Sequence, residues 1–257
     1  MSDLSLARRA VKAAVLPIGA FERARPTDTV ILLYHRVGTG DREIDVDLHA
    51  FDRQMAYLAS RRSARSLDEA LDGRGGVVVT VDDGFGDFHA HVLPVLVRHE
   101  IPALLYLATG GVADDPISNG ALTWPQVGEA VATGLVSVGS HTHSHRNLSR
   151  VDRATAEDEM RRSKELIEDH LGVPCRHFAY PWSVASPAAE RVARGLFQSA
   201  ALRWCTNRHG IMDPHRLGRT PVLRADGSMF FRAKVNGMLD REAFVYRALR
   251  RGPWRKG

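Results

Sequence analysis

Cysteine is scarce in this chain: 257 residues carry two, Cys175 and Cys205, and no Cys-x-x-Cys pair. A disulfide framework has no support, and two separate buried thiols are expected. Long apolar runs are missing as well, since none approaches the roughly 18 residues that a membrane span needs. No segment repeats and no low-complexity linker divides the chain. With 44% apolar residues it reads as one domain with a core of ordinary size. Lysine is rare, at four of 35 basic residues, a bias of genome composition rather than of chemistry. Thirty acidic residues are spread among the basic ones for a net charge of +5, and the one dense basic run covers residues 247–256. Such a run is usually a solvated face. The chain has no base-reading motif, so a nucleic-acid partner is not expected.

Arg8, Arg9 and Lys12 precede a short apolar stretch at residues 13–21. The outline is that of a signal peptide, and Arg8-Arg9 hints at twin-arginine export. Pro17 interrupts the stretch, however, and Phe21-Glu22-Arg23-Ala24 is a poor cleavage site. Leu4, Ala7, Val11, Val15 and Ile18 share one helical face. The expectation is an amphipathic helical segment over residues 1–26, packed or lying on a surface, in a cytoplasmic protein. Peripheral membrane contact through this helix and export both stay open. Residues 27–257 form the main domain, ending in a helical tail.

Beyond residue 27, apolar runs alternate with helical patterns. Strands are expected at residues 30–34, 77–81, 103–108, 136–139, 177–179 and 200–206. Asp47 caps a helix carrying Phe51, Met55 and Leu58. Another helix starts near Asp87, with a bend at Pro94. Thr123 and Gln126 form a capping box, a long charged helix from Asp152 stops at Gly172, and Ser186-Pro187 opens a further helix. Residues 210–227 read as irregular. This alternation argues for a parallel sheet with crossover helices. The polar motifs fall at the C-terminal ends of the strands, where α/β folds place their sites.

Two motifs carry the chemistry. Thr80-Val81-Asp82-Asp83-Gly84 ends one apolar run with adjacent carboxylates. Ser140-His141-Thr142-His143-Ser144-His145 follows another and sets two imidazoles at i, i+4. Either alone could be a polar turn. Together, one carboxylate and two histidines make a divalent-metal site with open coordination positions, and the second carboxylate is free to act as a base.

These motifs resemble the polysaccharide deacetylase group, the NodB-homology or carbohydrate esterase family 4 proteins. The first matches that family's T-F-D-D-G, with Val81 for Phe, and the second its S-H-T-x-x-H. Phe178-Ala179-Tyr180-Pro181-Trp182-Ser183 is similar to the variant F-A-Y-P-Y-G. The resemblance covers about residues 30–222. It implies a distorted (β/α)7-type barrel. It also implies Asp82 as general base, with Asp83, His141 and His145 as ligands to a divalent metal. Zinc is the first choice on ligand type, with Co²⁺ or Ni²⁺ able to substitute. His143 is not expected to be a ligand. The family pattern assigns a backbone oxyanion donor to the residue after Pro181, here Trp182. The alternative for Trp182 is a plain core aromatic, and Ser183 stands where the family has Gly.

Many members draw a general acid from a late L-x-H motif, which is missing after Val222. Leu33-Tyr34-His35 instead resembles circularly permuted members, making His35 the candidate acid or else a buried structural histidine. Arg219 resembles a late family arginine that pairs with the base, or it is a surface ion pair. Trp124 is more often packing than sugar stacking. The resemblance thus implies a metal-dependent hydrolase removing acetyl groups from N-acetylated sugars of a polysaccharide or glycan precursor. The open alternatives are an O-acetyl esterase, another C–N hydrolase of the same fold, and a degenerate sugar-binding protein. The sequence is silent on oligomeric state.

Overall fold

The computed structural model describes residues 28–38, 40–114, 120–202 and 213–237. The expected N-terminal helical segment, Cys205, His209 and the C-terminal tail lie outside these. Strand β1 (Thr29–Tyr34) is an unbroken apolar run, as a strand covered on both faces should be. It pairs in parallel with β4 (Gly76–Asp83). β5 (Ala103–Leu107), β6 (Val136–Ser140), β7 (His177–Ala179) and β8 (Ser199–Ala201) then add in sequence order, giving β8-β7-β6-β5-β4-β1-β9. β9 (Thr220–Pro221) returns to the free side of β1. Three residues before β9, Leu217 bridges to Ala201 of β8. One short segment therefore touches both edges of the curled sheet and draws it into a barrel. This is the expected (β/α)7-type architecture.

The crossover helices are started by the expected local signals. Asp47 accepts from the Ala50 N–H and opens α1 (Leu48–Arg61). Thr123 and Gln126 cap α4 (Trp124–Ala132), Asp152 opens α5 (Arg153–Leu171), and Ser186 opens α6 (Pro187–Leu196). Each such cap is worth about 1 kcal/mol. Gly172 ends α5 in the left-handed conformation. Val77, Val79 and Val81 pack outward on Phe51, Met55 and Leu58 of α1 and on the other helices. Val78, Leu104, Tyr106, Ala179 and Leu217 fill the barrel, closed at one end by Leu67 and Ala70 of α2 (Leu67–Leu71).

Four features differ from expectation. The break before α3 (Leu93–His99) is a π-helical turn, Phe88–Val92, rather than a proline kink; Pro94 sits in the first turn of α3, where a missing N–H costs nothing. Of the strand expected at 200–206, the described part is Ser199–Ala201, and residues 203–206 lie outside the described residues. The region read as irregular contains β9, and α7 (Ser228–Val235) follows it. A two-stranded ribbon, β2 (Arg36–Val37) with β3 (Asp45–Val46), stands directly after His35. No helix among the described residues is long and apolar enough to cross a membrane.

Candidate active site

The expected site residues gather at one mouth of the barrel. Asp82 and Asp83 end β4, His141 and His145 follow β6, Trp182 follows β7, His35 follows β1, and Arg219 precedes β9. Side-chain alternation explains Asp82: Val78, Thr80 and Asp82 share the inner face of β4. The same alternation would send Asp83 outward, but its backbone turns at φ 77° and brings the carboxylate back to the mouth.

Strained backbone concentrates here. Among the described residues, seven non-glycine positions have positive φ, and Arg62 and Glu100 merely end helices. The other five are Asp83, Thr142, His145, Trp182 and Ser183. Such conformations cost about 1–3 kcal/mol each and persist where the surroundings impose them. Ser183 thus keeps, at φ 54°, the left-handed backbone that a glycine would adopt without cost.

Asp82 is buried, and Arg219 clamps it from Nη1 to Oδ1 at 2.6 Å and from Nη2 to Oδ2 at 2.8 Å. Arg219 is itself only 1% exposed, so this is no surface ion pair. Its Nε donates to the Leu202 carbonyl at 3.1 Å, Nη1 reaches Thr80 Oγ1 at 3.3 Å, and the guanidinium lies over the Tyr106 ring. Burial pushes the Asp82 carboxyl up, but Arg219 and then His141 outweigh it and hold it below its ordinary value. The base candidate is therefore ionised.

Asp83 Oδ1, His141 Nε2 and His145 Nε2 all lie within 4.8 Å of one another. Asp83 Oδ1 is 3.3 Å from His145 Nε2 and 3.5 Å from His141 Nε2. It is nonetheless buried with no aligned hydrogen bond. His141 Nδ1 donates to the Ala179 carbonyl at 2.7 Å, which leaves the Nε2 lone pair facing the cluster. A buried carboxylate oxygen lacking an aligned donor, beside two imidazole nitrogens, is what a divalent cation would complete, so these residues fit one. Burial raises the Asp83 carboxyl; His145, His141 and His35 overcome this and hold it at about 2.

His143 turns away, its Nδ1 3.1 Å from Thr109 Oγ1. His35 is half-buried, close enough to lower both Asp82 and Asp83. Trp182 is 68% exposed, with its ring edge-on to His145 at 5.3 Å; it is not a core aromatic. Trp124 is buried and stacks on His170, a packing role. His215 is tied to the Phe197 carbonyl.

The structure adds a residue that sequence reading missed. Glu159 of α5 is buried and accepts from both the Ser144 N–H at 2.8 Å and the Ser144 hydroxyl at 2.6 Å. Its backbone carbonyl accepts from the His143 N–H. It thereby pins the loop between His141 and His145. A glutamate buried on an otherwise charged helix was a weak signal. Cys175 is buried, and burial pushes its thiol up to about 12, so it is inert.

A family model described as polysaccharide deacetylase matches residues 72–197, the stretch that holds Asp82, Asp83, His141, His145 and Trp182. The chain belongs to the polysaccharide deacetylase family. A Bacillus subtilis protein, YxkH, named for polysaccharide deacetylation, is 24% identical over 166 residues, or 61% of this chain. The match spans only 57% of that relative's length. Among solved structures, the Streptococcus pyogenes deacetylase PplD, in complex with acetate, is 21% identical with a TM-score of 0.74, covering 82% of this chain and 99% of that one. IcaB from Ammonifex degensii is 24% identical with a TM-score of 0.70, covering 86% and 99%. A Bacillus cereus polysaccharide deacetylase is 21% identical with a TM-score of 0.72, covering 81% and 69%. These likenesses share the fold of this deacetylase-family chain.

Proposed function

We propose that this chain is a zinc-dependent hydrolase that removes acetyl groups from N-acetylated sugars of a polysaccharide or glycan precursor. The convergence of Asp83 Oδ1, His141 Nε2 and His145 Nε2 within 4.8 Å, beside an Arg-clamped Asp82, carries this reading. A divalent cation bound there would polarise the acetyl carbonyl and make water more acidic.

The remaining work falls to the chain's own groups. Asp82, held ionised by Arg219, takes the proton of the attacking water. The backbone N–H of Trp182 donates to the oxyanion as the carbonyl carbon becomes tetrahedral; such a donor is worth about 3 kcal/mol. His35 gives a proton to the departing sugar amine, which is otherwise too basic to leave. The exposed Trp182 indole, standing edge-on to His145, offers a sugar ring an apolar face at the mouth.

The test is a pair of variants. Asp82→Asn should retain about one zinc per chain yet lose at least about 100-fold in acetate release from N-acetylglucosamine oligomers. Asp83→Ala should lose both metal and turnover. Mass spectrometry of the products and metal analysis of the purified protein read these outcomes. Full activity in Asp82→Asn refutes the assigned base.

A further inference from the structure

Asp87 lies four residues beyond Asp83, at the entrance to the π-helical turn, and is buried. Its carboxylate does not face the catalytic mouth. Oδ2 accepts the Val37 N–H at 2.6 Å, and Oδ1 lies 3.3 Å from Arg36 Nε. From within the same turn, His91 donates through Nδ1 to the Val37 carbonyl at 2.7 Å. Both backbone polar groups of Val37 are thus held by one turn. Arg36 also lies over the Phe85 ring at 4.7 Å. Glycine at 38 permits the close approach: its φ is 79°, and a Cβ there would come within 2.6 Å of His91 Nδ1.

The two residues held in this way directly follow His35. We infer that Asp87, with His91, is a positioning residue that fixes the backbone after β1 and so sets the reach of His35 relative to the β4 carboxylates. The inference rests on His35 acting as the general acid. One loop then carries the base, a metal ligand and the clamp on the acid's own loop, so acid and base keep a fixed separation. The demand is physical. A proton donor must come within about 2.6–3.2 Å of the departing nitrogen, and an ångström of misplacement can cost about 100-fold. A buried carboxylate suits the task, because its bond to a backbone N–H is charge-assisted and roughly twice as strong as a neutral one.

A substrate whose leaving group needs no proton separates positioning from general damage. Turnover of N-acetylglucosamine oligomers depends on the acid, whereas 4-nitrophenyl acetate expels a phenolate unaided. Asp87→Asn is expected to lower kcat on the oligomer at least 10-fold with KM within twofold. It should leave aryl-ester hydrolysis within threefold, the same signature as His35→Ala. Combining Asp87→Asn with His35→Ala should add less than twofold to the loss from His35→Ala alone. Equal losses on both substrates, or fully multiplicative losses in the double variant, overturn the assignment. Should Asp87→Asn fail to fold, His91→Leu reads the same ratio of the two activities, and an unchanged ratio there overturns it too. Failure of the deacetylase reading itself shows in the unsubstituted chain, as absence of acetate release from the oligomer, and takes this inference with it.

Discussion

Replacing Arg219 by methionine probes the ion pair that clamps Asp82, the proposed base. The substitution keeps most of the apolar stem and removes the guanidinium. Asp82 then sits buried without its guanidinium counter-charge, and the Leu202 carbonyl loses a donor. Two charge-assisted hydrogen bonds at about 1.5–3 kcal/mol each are removed. That agrees with the 3–5 kcal/mol usual for breaking a buried pair by taking one partner. At about 2–4 °C per kcal/mol for a domain of this size, Tm should fall by about 10 °C. Thermal unfolding by circular dichroism, on protein stripped of metal with a chelator, measures this without interference from bound ions. The control is the double variant Arg219→Met with Asp82→Asn. With the charge gone, nothing buried is left uncompensated except neutral groups, and most of the lost stability should return. If the single variant unfolds at the original temperature, or if the double variant is less stable than the single, the clamp is not a compensated buried charge and the account of Asp82 is wrong.

Other outcomes follow from the same geometry. Glu159→Gln keeps an acceptor but loses the charge that holds Ser144, and zinc affinity should drop about 10–100-fold, measured by competition with a chromophoric chelator. Trp182→Ala should change stability by no more than about 0.5 kcal/mol, because the ring is exposed, while raising KM on oligosaccharides more than on a monomeric acetyl ester.

The elements that announced themselves in the sequence are those written in local code. The caps at Asp47, Thr123, Asp152 and Ser186 and the stop at Gly172 depend on neighbours three or four residues away, and each appears where its residues stand. The same code held one signal that went unread: Ser66 and Glu69 form a capping box for α2. Two-residue strands carry no period, so β2, β3 and β9 were invisible, and a proline such as Pro221 is rare inside a sheet. Pro221 is tolerated because it lies at the end of the ladder, and the next N–H, from Val222, is the one that donates to Leu33. The Asp83, His141 and His145 cluster was legible because its motifs are local and their chemistry narrow. Its support was legible only in part: Arg219, 137 residues from Asp82, entered through the family resemblance alone, and Glu159 reaches Ser144 across fifteen residues, a distance at which sequence pattern says nothing.

The seam at residues 217–221 is the last of the barrel to leave the ribosome. A nascent chain halted before Leu217 would already hold the carboxylate and both imidazoles, yet would lack the cation that neutralises Asp82 and the bridge that joins β8 to β1. Catalytic competence would then arrive in a single late event, and abortive translation products ending before that point would be inert.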